Sequence, residues 1–89
     1  MRLGGGDHIF VEVDPDLVPL GEAVRRFRKA RGLTQEDLSG LTELHRNHIG
    51  GIERGERNIT IKTTLTLARA LNVQPAELFA EYHRLTTVE

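Results

Sequence analysis

LTQEDLSGLTELHRNHIGGIERGERNITI, residues 33–61, decides how this chain is read. Thr34 followed three residues later by Asp37 has the form of a capping box and opens a helix whose inward residues are Leu38 and Leu41. The turn Leu41-Thr42-Glu43-Leu44 ends that helix after about two turns. His45 caps a second short helix over Arg46–Glu53, with Ile49 and Ile52 facing inward and Gly55 stopping it. The second helix is polar at its N-terminal tip and apolar behind. One end can therefore reach outward while the other is held in a core.

Working outward, residues 20–31 read as a first helix beginning after Pro19. Leu20, Val24, Phe27 and Ala30 or Arg31 follow the three/four spacing of a buried stripe, and Gly32 supplies a left-handed stop. Thr60 caps a fourth helix along which Ile61, Leu65, Ala68 and Leu71 recur at helical spacing, with Asn72 just past its end. Pro75 suits the first position of a fifth helix whose apolar residues are Leu78, Phe79 and Tyr82. The predicted fold is all-α, five short helices in a bundle over residues 20–84, with a tail at 85–89. Residues 1–19 form an N-terminal arm. Within it HIFVEV (8–13) is rich in β-forming residues and reads as an extended segment or short strand ended by Asp14-Pro15.

Eighty-nine residues allow one small core. The absence of cysteine excludes a disulfide framework and a thiolate zinc site, and it fits a reducing cytosol. No apolar run approaches the roughly 20 residues of a membrane span, and MRLGGG lacks the apolar stretch of a secretion signal. The net charge of −1 is unevenly spread. The arm holds Asp7, Glu12, Asp14 and Asp16 against Arg2. Residues 20–31 hold Arg25, Arg26, Arg28, Lys29 and Arg31 against Glu22. Such a cluster is either a partner-facing patch or a solvated helix face.

The stretches LGEAVRRFRKARGLTQEDL, IGGIERGERN and LARALNVQPAELF, in that register, resemble the lambda-repressor-like, Xre/Cro-type helix-turn-helix family. The likeness covers Leu20 to Phe79, and Thr34-Gln35 with Ile52-Glu53-Arg54-Gly55 carries its specificity. HRNHIGGIERGERNITIK is similar to the controller proteins of restriction–modification systems. Many family members have Ala where Ser39 stands and Gly where Glu43 stands, so Glu43 must tolerate the turn without glycine's freedom. Gly40 inside a helix costs about 1 kcal/mol relative to alanine.

The resemblance implies a sequence-specific DNA-binding transcriptional regulator acting as a homodimer on a palindromic operator, with no cofactor and no small-molecule ligand. Arg46 at the tip matches the paired acceptors of guanine, and Asn47 can pair with adenine or bind phosphate. The plain alternative for both is ordinary helix-start polarity. His45 and His48 flank them as further contacts. Gly50 and Gly51 read as bare backbone that lets the helix approach DNA. The resemblance points the helix opened by Gln35 at a phosphate, where its free N–H groups and dipole favour an anion, and makes Gln35 a brace for the recognition side chain. Arg57 and Asn58 are assigned backbone or groove-edge contacts, and Thr60 and Lys62 phosphate contacts, although Lys62 reads almost equally well as a surface lysine. Arg28 and Glu53 are paired from the first to the third helix. Loss of one partner should hurt more than loss of both.

Leu78, Phe79 and Tyr82 exceed what a small core must absorb and mark a dimer surface, though Leu78 also suits the core. His45-x-x-His48 has helical metal spacing but lacks a third ligand nearby. No nucleophile–base constellation stands out, so no enzyme is expected. The competing reading is a protein-interaction module of the same fold, an antitoxin or bridging factor, with the acidic arm and HIFVEV as its partner-binding element.

Overall fold

The computed structural model describes residues 12–87. Five helices follow one another: α1 Val18–Ala30, α2 Gln35–Thr42, α3 Arg46–Glu53, α4 Ile61–Leu71 and α5 Pro75–Thr86. No strand occurs among the described residues. The extended segment expected at 8–13 lies outside them except for Glu12 and Val13, which carry no regular structure.

Local chemistry sets most boundaries. Thr34 accepts from the backbone N–H of Asp37 while the Asp37 carboxylate accepts from that of Thr34, closing a full capping box. Those bonds hold the Asp37 carboxyl below the usual carboxylate range. Thr60 Oγ1 accepts from Thr63 N–H at 3.0 Å, and Pro75 opens α5 behind Gln74. At the other ends, Gly32, Gly55 and Asn72 all adopt positive φ. Each follows a helix whose last turn closes with a six-to-one bond, from Leu33 to Arg28, Glu56 to Gly51 and Val73 to Ala68. Gly55 also presses on Val18, so a side chain there would meet α1.

α1 starts before Pro19 rather than after it. Proline has no N–H to lose in a first turn, and Asp14 anchors the entry. Its carbonyl accepts from Leu17 and Val18, its carboxylate accepts from Asp16 N–H, and its own N–H donates to the Gly55 carbonyl at 2.9 Å. The end of the arm is thereby tied to the end of α3. α5 continues to Thr86, two residues beyond the expected end of the bundle at residue 84.

The core is Ala23, Val24, Leu38, Ile49, Ile52, Leu67, Leu71 and Leu78, with Leu20, Phe27, Leu33 and Leu44 packed around it. α1 lies on α5 and α3, while α2 lies on α3 and α4. At the α1–α3 crossing Gly21 lies against the backbone of Ile52 and Glu53.

Four inward assignments are corrected. Ala30 and Arg31 are both exposed, so neither ends the buried stripe of α1, whose last buried residue is Arg28. Leu41 is 57% exposed, because α2 buries Leu38 and Thr42 instead. Ile61 is 70% and Leu65 38% exposed, and the buried face of α4 is Thr64, Leu67, Ala68 and Leu71. Both threonines replace an apolar residue because their hydroxyls are satisfied within the helix. Thr42 Oγ1 donates to Leu38 O at 2.8 Å and Thr64 Oγ1 to Thr60 O at 3.0 Å.

Glu43 takes the left-handed conformation with φ 64°. A side chain there costs about 1–2 kcal/mol. Ser39 helps hold the strained turn, its hydroxyl donating to the Leu44 carbonyl at 2.6 Å, while Leu44 N–H donates to Thr42 Oγ1 at 3.2 Å. The two departures from the family pattern thus meet in one turn.

Candidate nucleic-acid interface

α3 is fixed from beneath by two kinds of contact. Ile49 and Ile52 are buried in the core. Glu53, at its last position, takes both forks of Arg28 from α1, with Nε at 2.6 Å and Nη2 at 3.0 Å. The Gln35 side-chain amide, from the first position of α2, donates to the same carboxylate at 2.9 Å. Arg28 Nη1 donates to the Leu33 carbonyl at 2.7 Å. One carboxylate therefore joins α1, α2 and α3, and hydrogen bonding to Glu53 raises the Arg28 guanidinium above its ordinary value. Every buried side-chain nitrogen and oxygen among the described residues has a partner.

The tip of α3 faces solvent. His45 caps it, Nδ1 accepting from Asn47 N–H at 3.0 Å, which requires that nitrogen to be unprotonated. Arg46 and Asn47 are exposed and His48 is half-buried. Arg46 lines an open cleft of about 690 Å³ together with Arg25 and Lys29 of α1 and residues 32–36 at the start of α2. The start of α2 and the cations Arg25, Lys29 and Arg46 around the cleft suit a phosphate, with Glu36 the carboxylate among the lining residues. Arg25 and Lys29 were visible in the sequence only as members of a basic cluster. Their convergence with Arg46 comes from the α1–α2 turn.

The remaining candidates are distributed around this tip. Gln35 is half-buried and braces Glu53 rather than a side chain of the tip. Arg57 reaches back to α3, its Nη1 lying 3.5 Å from His48 Nδ1. Asn58 is exposed and lines a second cleft with Glu12, Asp14 and Glu56. Thr60 is engaged in capping α4, and Lys62 is exposed on its first turn. Gly50 and Gly51 are corrected: both are buried. A Cβ at Gly50 would meet Arg54 and Gln35, and one at Gly51 would meet Arg57. The missing side chains make room for the protein's own groups. Leu78 is also corrected. It is wholly inside its own core and offers nothing to a partner, whereas Phe79 is 45% exposed and Tyr82 half-buried.

Two short helices joined by a tight turn, the second anchored below and polar at its tip, form a helix-turn-helix. A family model described as helix-turn-helix matches residues 24–78. The chain belongs to the helix-turn-helix family of DNA-binding transcriptional regulators. Control protein C.SmaI of Serratia marcescens is 46% identical over 59 residues, covering 66% of this chain and 70% of that protein. Among solved structures, the restriction–modification controller protein C.AhdI from Aeromonas hydrophila superposes with a TM-score of 0.72 at 47% identity, over 74% of this chain and all of that one. The controller protein C.Esp1396I, solved as a tetramer in complex with its natural 35-base-pair operator, gives a TM-score of 0.74 at 32% identity over 80% of this chain and 93% of that one. α3 occupies the place of the second helix of a helix-turn-helix, the one that enters the major groove in proteins of that kind.

Proposed function

We propose that this protein is a controller-type transcriptional regulator of the cytoplasm that binds a two-fold symmetric operator as a homodimer. The observation that carries this reading is the exposed Arg46–Asn47 tip, held by Ile49, Ile52 and the Glu53 carboxylate beneath it. The guanidinium of Arg46 reads guanine and the amide of Asn47 reads adenine or binds phosphate. The cleft of Arg25, Lys29 and the α2 start takes a backbone phosphate and fixes register without reading sequence. Likeness to C.Esp1396I, which was captured on its operator, supports the same use of α3 here.

One recognition helix spans too few base pairs to find a site in a genome. Two copies with recognition helices about 34 Å apart double the reading. The surface that fits a second copy is on α4 and α5. Leu65 and Pro75 line one cleft, and Phe79 lies one turn along α5 from Pro75. Sedimentation equilibrium of Phe79→Asp tests the dimer. The variant is expected to be monomeric and folded, and to bind a full operator at least tenfold more weakly than the parent. A variant that stays dimeric with unchanged affinity places the two-fold axis elsewhere.

A further inference from the structure

We propose that Gly51 is a slot that seats Arg57 on the recognition helix, making a loop residue part of the surface that α3 presents to DNA. This rests on the regulator reading above and deepens it.

The geometry begins with the chain reversal after α3. Gly55 at φ +78° and the bond from Glu56 N–H to Gly51 O turn the backbone back along the helix. Arg57 is delivered against α3 by that turn. Its aliphatic stem crosses the position of the absent Gly51 side chain: a Cβ there would lie 2.8 Å from Arg57 Cγ and 3.1 Å from its Nε. The guanidinium continues to His48, with Nη1 3.5 Å from Nδ1.

Gly51 is three residues after His48 and four after Asn47, so all three share one helix face. The side chain of Arg57 therefore lies on the face of α3 that carries Asn47 and His48. The neighbouring Glu56 is engaged elsewhere, its carboxylate accepting from Arg54 at 3.0 and 3.1 Å. A stem already packed on the helix loses less side-chain freedom when DNA arrives than a loose loop arginine would.

Gly51 thus acts through Arg57 and does not itself meet DNA. Glycine is a poor choice in a helix interior on propensity alone, and the crossing stem accounts for it. A substitution at position 51 must push out Cγ, near the root of the arginine, and so must move the whole side chain.

The test compares the parent, G51A, R57A and G51A/R57A, using a duplex selected by the parent from random DNA. Affinity is read by fluorescence anisotropy and stability by thermal melting. R57A is expected to bind about tenfold more weakly, as for the loss of one good contact. G51A is expected to lose a similar factor, and the double variant no more than R57A alone. In the R57A background, G51A should raise Tm, because the slot is empty and alanine favours helix.

Equal losses from G51A with and without Arg57 would overturn the slot, as would unchanged binding by R57A. If G51A alone does not fold, a folded double variant supports the slot and an unfolded one contradicts it. A parent that selects no DNA overturns the regulator reading and the role of Arg57 with it, while the Tm comparison still reports the slot. Loss of preference at one base position makes Arg57 a base reader, and a uniform loss across sequences makes it a phosphate contact. Either result supports its place on the α3 surface.

Discussion

Gly21→Ala is expected to lose at least about 3 kcal/mol of folding stability, at the upper end of overpacking costs and a large part of what a small domain holds. In the interior of α1 alanine would ordinarily be the better residue by about 1 kcal/mol. Here tertiary contact reverses the sign. A Cβ at position 21 would lie far inside van der Waals contact with the Ile52 carbonyl oxygen, 2.6 Å from the Glu53 oxygen and 2.8 Å from its carbonyl carbon. All three are backbone atoms of α3, so no rotamer change relieves the clash and the helices must separate. Separation pulls Arg28 from Glu53 and Ile52 from the core. Gly40→Ala is the control. Nothing lies within 4 Å of that position, so helix propensity alone acts and a gain of up to about 1 kcal/mol is expected. Urea unfolding of both variants checks the pair. A loss below about 1 kcal/mol for Gly21→Ala would contradict the close crossing.

Replacing Glu53 alone is the second large effect, with an expected loss of about 3–5 kcal/mol. Arg28 would keep its bond to Leu33 but lose its counter-charge in a site where its side chain is 8% exposed. Arg28→Ala leaves the carboxylate, 3% exposed, with the Gln35 amide as its remaining partner. Arg28→Met with Glu53→Leu removes both charges and keeps volume, so it should be more stable than either single variant. The pair is expected to contribute little net stability and to fix how α3 sits on α1 and α2. The double variant is therefore expected to fold and yet bind operator more weakly than the parent. Unfolding curves of the three variants, with anisotropy on the double, decide this. Single losses that are small and add in the double would rule out a coupled buried pair.

What could be read from the sequence was chiefly what neighbouring residues settle among themselves. Thr34 with Asp37, His45, Thr60 and Pro75 open helices through bonds or ring geometry spanning at most three residues, and Gly32, Gly55 and Asn72 close them by their own φ. Phase was less legible. In the eight-residue α2, Leu41 and Thr42 differ by one position, and hydrophobicity alone favours burying the leucine. The fold buries the threonine because Leu38 O satisfies its hydroxyl. The same substitution of Thr64 for its neighbour turned Ile61 and Leu65 outward. At the interface, the polar tip of α3 was visible from residue order. The meaning of Gly21, Gly50 and Gly51 was not, since a glycine announces that something comes close without saying what. Leu78 and Phe79 are adjacent in sequence, and only packing against α1 separates a core residue from a surface one.

In the proposed regulator the tip of α3 reads DNA through Arg46. The most direct test is parallel selection of bound sites from random duplex DNA by the parent and by Arg46→Ala, with circular dichroism showing both folded. The parent is expected to enrich a two-fold symmetric site with half-site centres about one helical turn apart, and the variant to lose preference at a guanine in each half-site. Enrichment of the same sequence by both chains would contradict reading through Arg46.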